Sequence, residues 1–130
     1  DVGGTGSWSP WHKFYHSGNL TGSLSANGYQ KLPGGLIIQW GVANLGSNLA
    51  AAIGGASVIG SITFPIAFPT SPFSASVVGF VPGSTAGEAI ENFLSIQDIS
   101  SSNLTVAATR VYGSGATDEI LSVAWIAIGY

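Results

Sequence analysis

The chain has 130 residues with three basic and six acidic side chains, a formal net charge of −3, and no cysteine. That length sets a prior of one domain, and the absence of cysteine excludes disulfides and thiolate metal sites. Three scattered basic residues, Lys13, Lys31 and Arg110, cannot neutralise a run of phosphates, so nucleic acid is excluded as a partner. Gly, Ser and Pro interrupt every apolar stretch short of a membrane span, so no transmembrane insertion is expected. No basic segment followed by an apolar run opens the chain, so no signal peptide is expected.

Charged residues make up 7% of the chain, against roughly 25% in typical soluble domains. A small monomer ordinarily relies on surface charge for solubility. The low value points to apolar surface sheltered between copies, and a homo-oligomer is expected.

Residues 1–13, DVGGTGSWSPWHK, combine flexible glycines with two large indole rings. Such a segment orders when it packs against something, and an extended strand lying on neighbouring chains is expected. A disordered leader is the other reading. FYHSGNL, residues 14–20, follows as a short strand and a Ser17–Gly18–Asn19 turn. The texture changes near residue 28. This sets a soft boundary between an N-terminal segment, 1–27, and a domain, 28–130.

Lys31–Leu32–Pro33–Gly34–Gly35 predicts a sharp turn, because Pro fixes one backbone angle and Gly permits angles closed to other residues. GLIIQWG, residues 35–41, predicts a strand with Leu36, Ile38 and Trp40 on one face and Ile37 and Gln39 on the other. Residues 42–58 are rich in small side chains and predict a long loop, with room for a helical turn at Leu49–Ile53. SITFPIAFP, residues 61–69, alternates Ile62, Phe64, Ile66 and Phe68 against Thr63, Pro65 and Ala67, and Pro65 marks an edge or bulge. FSASVVGFV, residues 73–81, is expected as its return strand after the Pro69–Pro72 turn. Glu88–Phe93 fits one helical turn, and Phe93–Ile99 fits a short strand equally well. LTVAATRVY, residues 104–112, and SVAWIAIGY, residues 122–130, complete the strands. About six strands with little helix predict an antiparallel β-sandwich. Trp40 and Trp125 are expected in its core.

Little in the chain suggests chemistry. His12 and His16 share a face of an extended strand and would converge across a threefold axis, which would allow a metal ion between chains. Structural, hydrogen-bonded histidines are the alternative. No nucleophile-elbow motif accompanies the serines. Glu88, Glu91, Asp118 and Glu119 read as solvated loop charges and not as a hydrolytic pair. No enzyme activity, cofactor or resident metal is expected.

FYHSGNL resembles the Tyr/Trp–His–x–Gly–Asn–Leu phrase of bacteriophage tail fibres. NGYQKLPGGLIIQWG, TFPIAFP and the terminal AWIAIGY resemble, in that order, the C-terminal tip domain of such fibres in Mu-like contractile-tailed phages and phage-derived bacteriocins. The resemblance implies a homotrimer whose tip is a sandwich like the H-type lectins. It implies a location at the distal end of the virion fibre and host lipopolysaccharide or another surface glycan as partner. Residues 1–27 become the end of the upstream shaft and the neck, with Trp8, Trp11, Phe14, Tyr15 and His16 packed between chains. A trimer-capping role without receptor contact is the alternative. The loops within 42–58, 82–92 and 113–119 carry no family motif. Their chemistry nominates Tyr112, Arg110, Asp118, Glu119, Asn92 and Asn48 as glycan contacts, through aromatic faces and hydrogen-bonding groups. Arg110 suits a phosphate or an acidic sugar, or alternatively a carboxylate of a neighbouring chain.

Overall fold

The computed structural model describes residues 16, 18, 20–45, 54–80, 92–110 and 122–130. These form an all-β fold of two antiparallel sheets around one core. The strands are β1 (Gly22–Ser23), β2 (Gly28–Lys31), β3 (Ile37–Asn44), β4 (Ala56–Thr63), β5 (Pro72–Phe80), β6 (Asn92–Ile99), β7 (Asn103–Arg110) and β8 (Ser122–Gly129). One sheet has the order β1-β2-β3-β8-β5 and the other the order β4-β7-β6.

The described residues hold eight strands where periodicity predicts about six. The additional pair, β1 and β2, is too short to carry an alternation that could be read. Pro33–Gly35 forms a 3-10 turn between β2 and β3 in which Gly34 and Gly35 have φ of 86° and 92°. Only glycine adopts these angles without strain, which explains the Pro-Gly-Gly sequence.

The expected hairpin between 61–69 and 73–81 does not form. The strand that contains Ser61 ends at Thr63, and β5 joins the other sheet beside β8. Prolines 65, 69 and 72 cannot sustain a ladder through this region, so the chain crosses the core instead. Each end of the crossing is anchored. Phe64 and Phe68 donate backbone bonds to Ser102 and Ser101 of the β6–β7 turn, and Thr70 donates to Tyr130 after β8. Between them, fully buried Gln39 of β3 acts as a two-point clamp on Ile66. Its Nε2 donates to the Ile66 carbonyl at 2.9 Å, and the Ile66 N–H donates to its Oε1 at 3.0 Å. Gln39 thus supplies what a neighbouring strand would have supplied. The alternation of Phe64, Ile66 and Phe68 survives outside a strand, with both phenyl rings buried and Ile66 half-buried.

The core joins Ile37, Ile62, Phe64, Phe68, Leu104, Val106, Ala108, Val123, Trp125 and Ala127. Phe64 lies edge-on to Phe68 at 5.2 Å and tilted to Trp125 at 5.5 Å. Trp125 therefore sits in the core as expected, and Trp40 does not. Trp40 lies on the outward face of β3, half-buried, where its indole N–H donates to Ser25. β8, flanked by β3 and β5, turns Val123, Trp125 and Ala127 to the core and Ala124, Ile126 and Ile128 outward, so it is apolar on both faces. The β6–β7 turn is closed by Ser100, whose Oγ accepts from the N–H groups of Ser102 and Asn103.

Candidate functional site

The strand ends divide the molecule into two poles. At one, the row Ile37–Gly129–Pro72 and the pair Thr63–Asn103 adjoin the crossing segment and the Ser100–Ser102 turn. At the other, Asn44–Ser122–Phe80 form one row, and Ala56–Thr109 and Asn92–Arg110 form pairs. The connections β3–β4, β5–β6 and β7–β8 all leave from this second pole, which is here termed the loop pole. β3 alone carries the chain about 23 Å between them, at roughly 3.3 Å per residue.

The N-terminal segment joins the sheet far from the loop pole. His16 accepts a backbone bond from Leu20, and Thr21 accepts one from Lys31, whose partner on β3 is Ile37. The chain thus comes in at the pole of short turns, and its three long connections emerge at the other. His16 is exposed, and its Nδ1 accepts a bond from the N–H of Gly18 at 3.0 Å. His12, Trp8, Trp11, Phe14 and Tyr15 lie outside the described residues. Among the described residues, no group of three or more His, Asp or Glu side chains is arranged to hold a metal ion.

Two of the nominated glycan contacts come together in the backbone. Arg110 and Asn92 are cross-strand partners at the loop pole, although 18 positions separate them in sequence. Tyr112, Asp118, Glu119 and Asn48 lie outside the described residues. Residue spacing alone did not reveal Asn44 and Ser122, which stand in the neighbouring row. Ser122 Oγ donates to Asn44 Oδ1 at 2.6 Å across β8 and β3, and Ser122 is buried. That bond ties the two strand ends from which two of the long connections leave.

A second surface bears on function. The outward face of the five-stranded sheet carries Ile38, Trp40 and Val42 on β3, Ala124, Ile126 and Ile128 on β8, and Ser74, Ser76, Val78 and Phe80 on β5. No charged residue occurs on any of these three strands. Val42 is 46% exposed, Val78 63% and Ile126 43%. In the row Val42–Ala124–Val78 every outward side chain is apolar.

The comparisons agree with this architecture. Residues 31–130 match the family model of gp53-like tail fibre proteins, C-terminal domain. An N-truncated R1-type pyocin tail fibre aligns over 85% of both chains with 28% identity and a TM-score of 0.70. A longer C-terminal piece of the P. aeruginosa R1 pyocin fibre aligns with 27% identity and a TM-score of 0.69, and there the match spans 28% of that chain. An N-truncated R2-type pyocin tail fibre gives 26% identity and a TM-score of 0.53 over 37% of its length. No curated protein matches the chain. With a family match over all of residues 31–130 and the same two-sheet fold in pyocin fibres, the chain belongs to the gp53-like C-terminal tail-fibre domain family.

Proposed function

We propose that this chain is the receptor-binding tip of a tail fibre, from a phage or a phage-derived bacteriocin. It presents the loop pole to a host surface glycan, in the first instance lipopolysaccharide. The observation that carries this reading is the polarity of the fold. Three long connections emerge from one end, and the N-terminal segment, residues 1–27 in the neck-and-shaft reading, joins at the other. Variable connections held on a rigid strand scaffold are the usual vehicle of recognition. Joined to a shaft at the opposite end, they face outward as the distal tip of the virion fibre.

The outward face of the five-stranded sheet supports a second element of the reading, a homotrimer. Contiguous apolar surface without charge is the mark of an interface. Three copies packed by this face about a threefold axis would shelter Val42, Val78 and Ile126. The neck residues Trp8, Trp11, Phe14, Tyr15 and His16 would continue the packing towards the shaft. The trimer would repeat the glycan site three times, and weak single contacts would combine through effective concentration. The same apolar face also suits a domain that only caps and registers the trimer, which is the competing reading.

Binding of the purified protein to lipopolysaccharides from a strain panel separates them, with its mass measured in solution. Strain-selective binding by a trimer supports the tip. A trimer that binds no strain, and does not compete with the parent particle for cells, supports the cap. Within the tip reading, Tyr112→Ala or Asp118→Ala weakens cell binding without changing the mass. Unchanged adsorption in both variants removes these residues from the site.

A further inference from the structure

Asn27–Gly28 is the only Asn-Gly dipeptide in the chain. Where this pair closes a hairpin it ordinarily does so by adopting positive φ. Here neither residue has a positive φ. The pair stands instead where the β1–β2 loop runs into β2, and the fold requires each residue for a different reason.

Asn27 is a cap. The ladder between β2 and β3 stops at the pair Gly28–Trp40, so Val42 lies beyond it. The N–H of Val42 donates to Asn27 Oδ1 at 2.7 Å. Gly41 leaves room for this bond, because a Cβ there would collide with the Asn27 amide. Gly28 is a packing requirement. It is buried, and a Cβ on it would run into the Ser23 carbonyl and the Trp40 ring. The cap and the missing side chain together place an asparagine directly before a glycine.

That order is chemically labile. Without a side chain on the second residue, its backbone nitrogen can approach the carboxamide of the first. Attack of the Gly28 nitrogen on Asn27 Cγ forms the N–Cγ bond and breaks Cγ–Nδ2, and the amide proton leaves with the NH2 group as ammonia. The cyclic imide then takes up one water at either carbonyl and opens to aspartate or isoaspartate. Solvent water is the only other reactant, and the Asn27 side chain is exposed to it.

The same geometry restrains both reacting groups. Lys31 donates its N–H to Thr21 on the β1 side. N–H directions alternate along a strand, so Gly28, three residues earlier, turns its N–H to Trp40 on β3. The direction of the Val42 N–H leads to the same pairing from the side of β3. The attacking nitrogen is therefore tied into the ladder, and the carboxamide it would attack is tied to Val42. Ser25 Oγ adds a third restraint by donating to the Asn27 carbonyl at 2.6 Å.

We propose that Asn27 is a site of spontaneous deamidation gated by opening of the β1–β2 hairpin. Closed, the pair is inert; open, it reacts as a free peptide does. The two products differ in consequence. An aspartate keeps the acceptor for Val42. An isoaspartate lengthens the main chain by one atom, which takes Gly28 out of step with Trp40 and uncaps the edge of β3.

The test is incubation of the 130-residue protein in mildly alkaline buffer, with each converted asparagine located by peptide mass mapping. A blocked peptide of residues 23–31 supplies the open-state rate, and hydrogen exchange at the Gly28 amide supplies the open fraction. We expect Asn27 to convert before any other asparagine, and at least roughly tenfold more slowly than in the peptide. The folded rate should equal the peptide rate multiplied by the open fraction, to within about threefold. Ser25→Ala removes one restraint and should raise Gly28 exchange and conversion by the same factor, roughly twofold to tenfold. Gly41→Ala displaces the Asn27 amide and should raise both further; if that variant does not fold, Ser25→Ala alone decides. Conversion at the peptide rate, earlier conversion of another asparagine, a folded rate outside the predicted product, or conversion that does not rise in Ser25→Ala overturns the proposal.

Discussion

The outward faces of the two sheets are built from different chemistry. On the three-stranded sheet β7 turns Thr105, Ala107 and Thr109 outward, with Ser61 and Thr63 of β4 and Ser95 of β6 beside them. On the five-stranded sheet the corresponding surface is Trp40, Val42, Val78, Ala124 and Ile126, with Ser76 as the polar member of the Trp40–Ile126 row. Both avoid lysine and glutamate, yet only the first satisfies water, chiefly through hydroxyl groups that hydrogen-bond to solvent. Low charge therefore has two origins in one small domain. One face is hydroxyl-rich and wet, with Asp98 of β6 exposed on it, and the other is uncharged and needs a partner. Phe93, 65% exposed on β6, is the exception on the wet face and has no structural explanation among the described residues.

Substitutions on the two faces test that division, and the largest effect is expected on the apolar one. Ile126→Lys, at the centre of β8, places a charge inside the proposed interface, where it would be buried unpaired. The expected result is loss of the trimer, read as a fall to monomer mass in light scattering. A trimer that survives the change removes this face from the assembly. Gln39→Leu comes next. It leaves the N–H and C=O of Ile66 without their clamp and should cost about 1–3 kcal/mol in denaturant unfolding, with the crossing segment affected first. Because Gln39 points to the core and not to either outer face, the mass should not change.

The Val42 N–H donates to Asn27 Oδ1 at 2.7 Å, and Asn27→Ala, which removes that acceptor, should cost roughly 0.5–1.5 kcal/mol in the same measurement. The amide of Val42 should then exchange its hydrogen faster, while those of β8 stay protected. Smallest of all is Ser95→Lys on the wet face, which should alter stability by less than about 0.5 kcal/mol and leave the mass unchanged. If Ser95→Lys disrupts assembly as Ile126→Lys does, the contrast between the faces is void.

Much of this architecture is legible in the residue order, and the unread parts have physical reasons. The alternation of Val123, Trp125 and Ala127 against Ala124, Ile126 and Ile128 marks a strand with two apolar faces. It does not say that one face meets the core and the other meets solvent or a neighbouring copy, because both are written in the same residue types. Trp40 is misassigned for that reason. The strand ending at Asn44 is read as stopping at Gly41, since Val42–Ala43–Asn44 is too short to show a period. The destination of β5 is not local information at all. It depends on the crossing of 64–71, held by Gln39 from 27 positions away. The candidate site is legible in part. Composition singles out Arg110 and Asn92, and pairing at the loop pole brings them together.

The central claim is that the loop pole reads the host surface while the strands serve as scaffold. The most direct measurement is lipopolysaccharide binding after residues 111–121 are replaced by a Gly/Ser linker of equal length. The account predicts an unchanged mass in solution and loss of strain-selective binding. Full binding retained by the exchanged protein, with its strain preference intact, would contradict it.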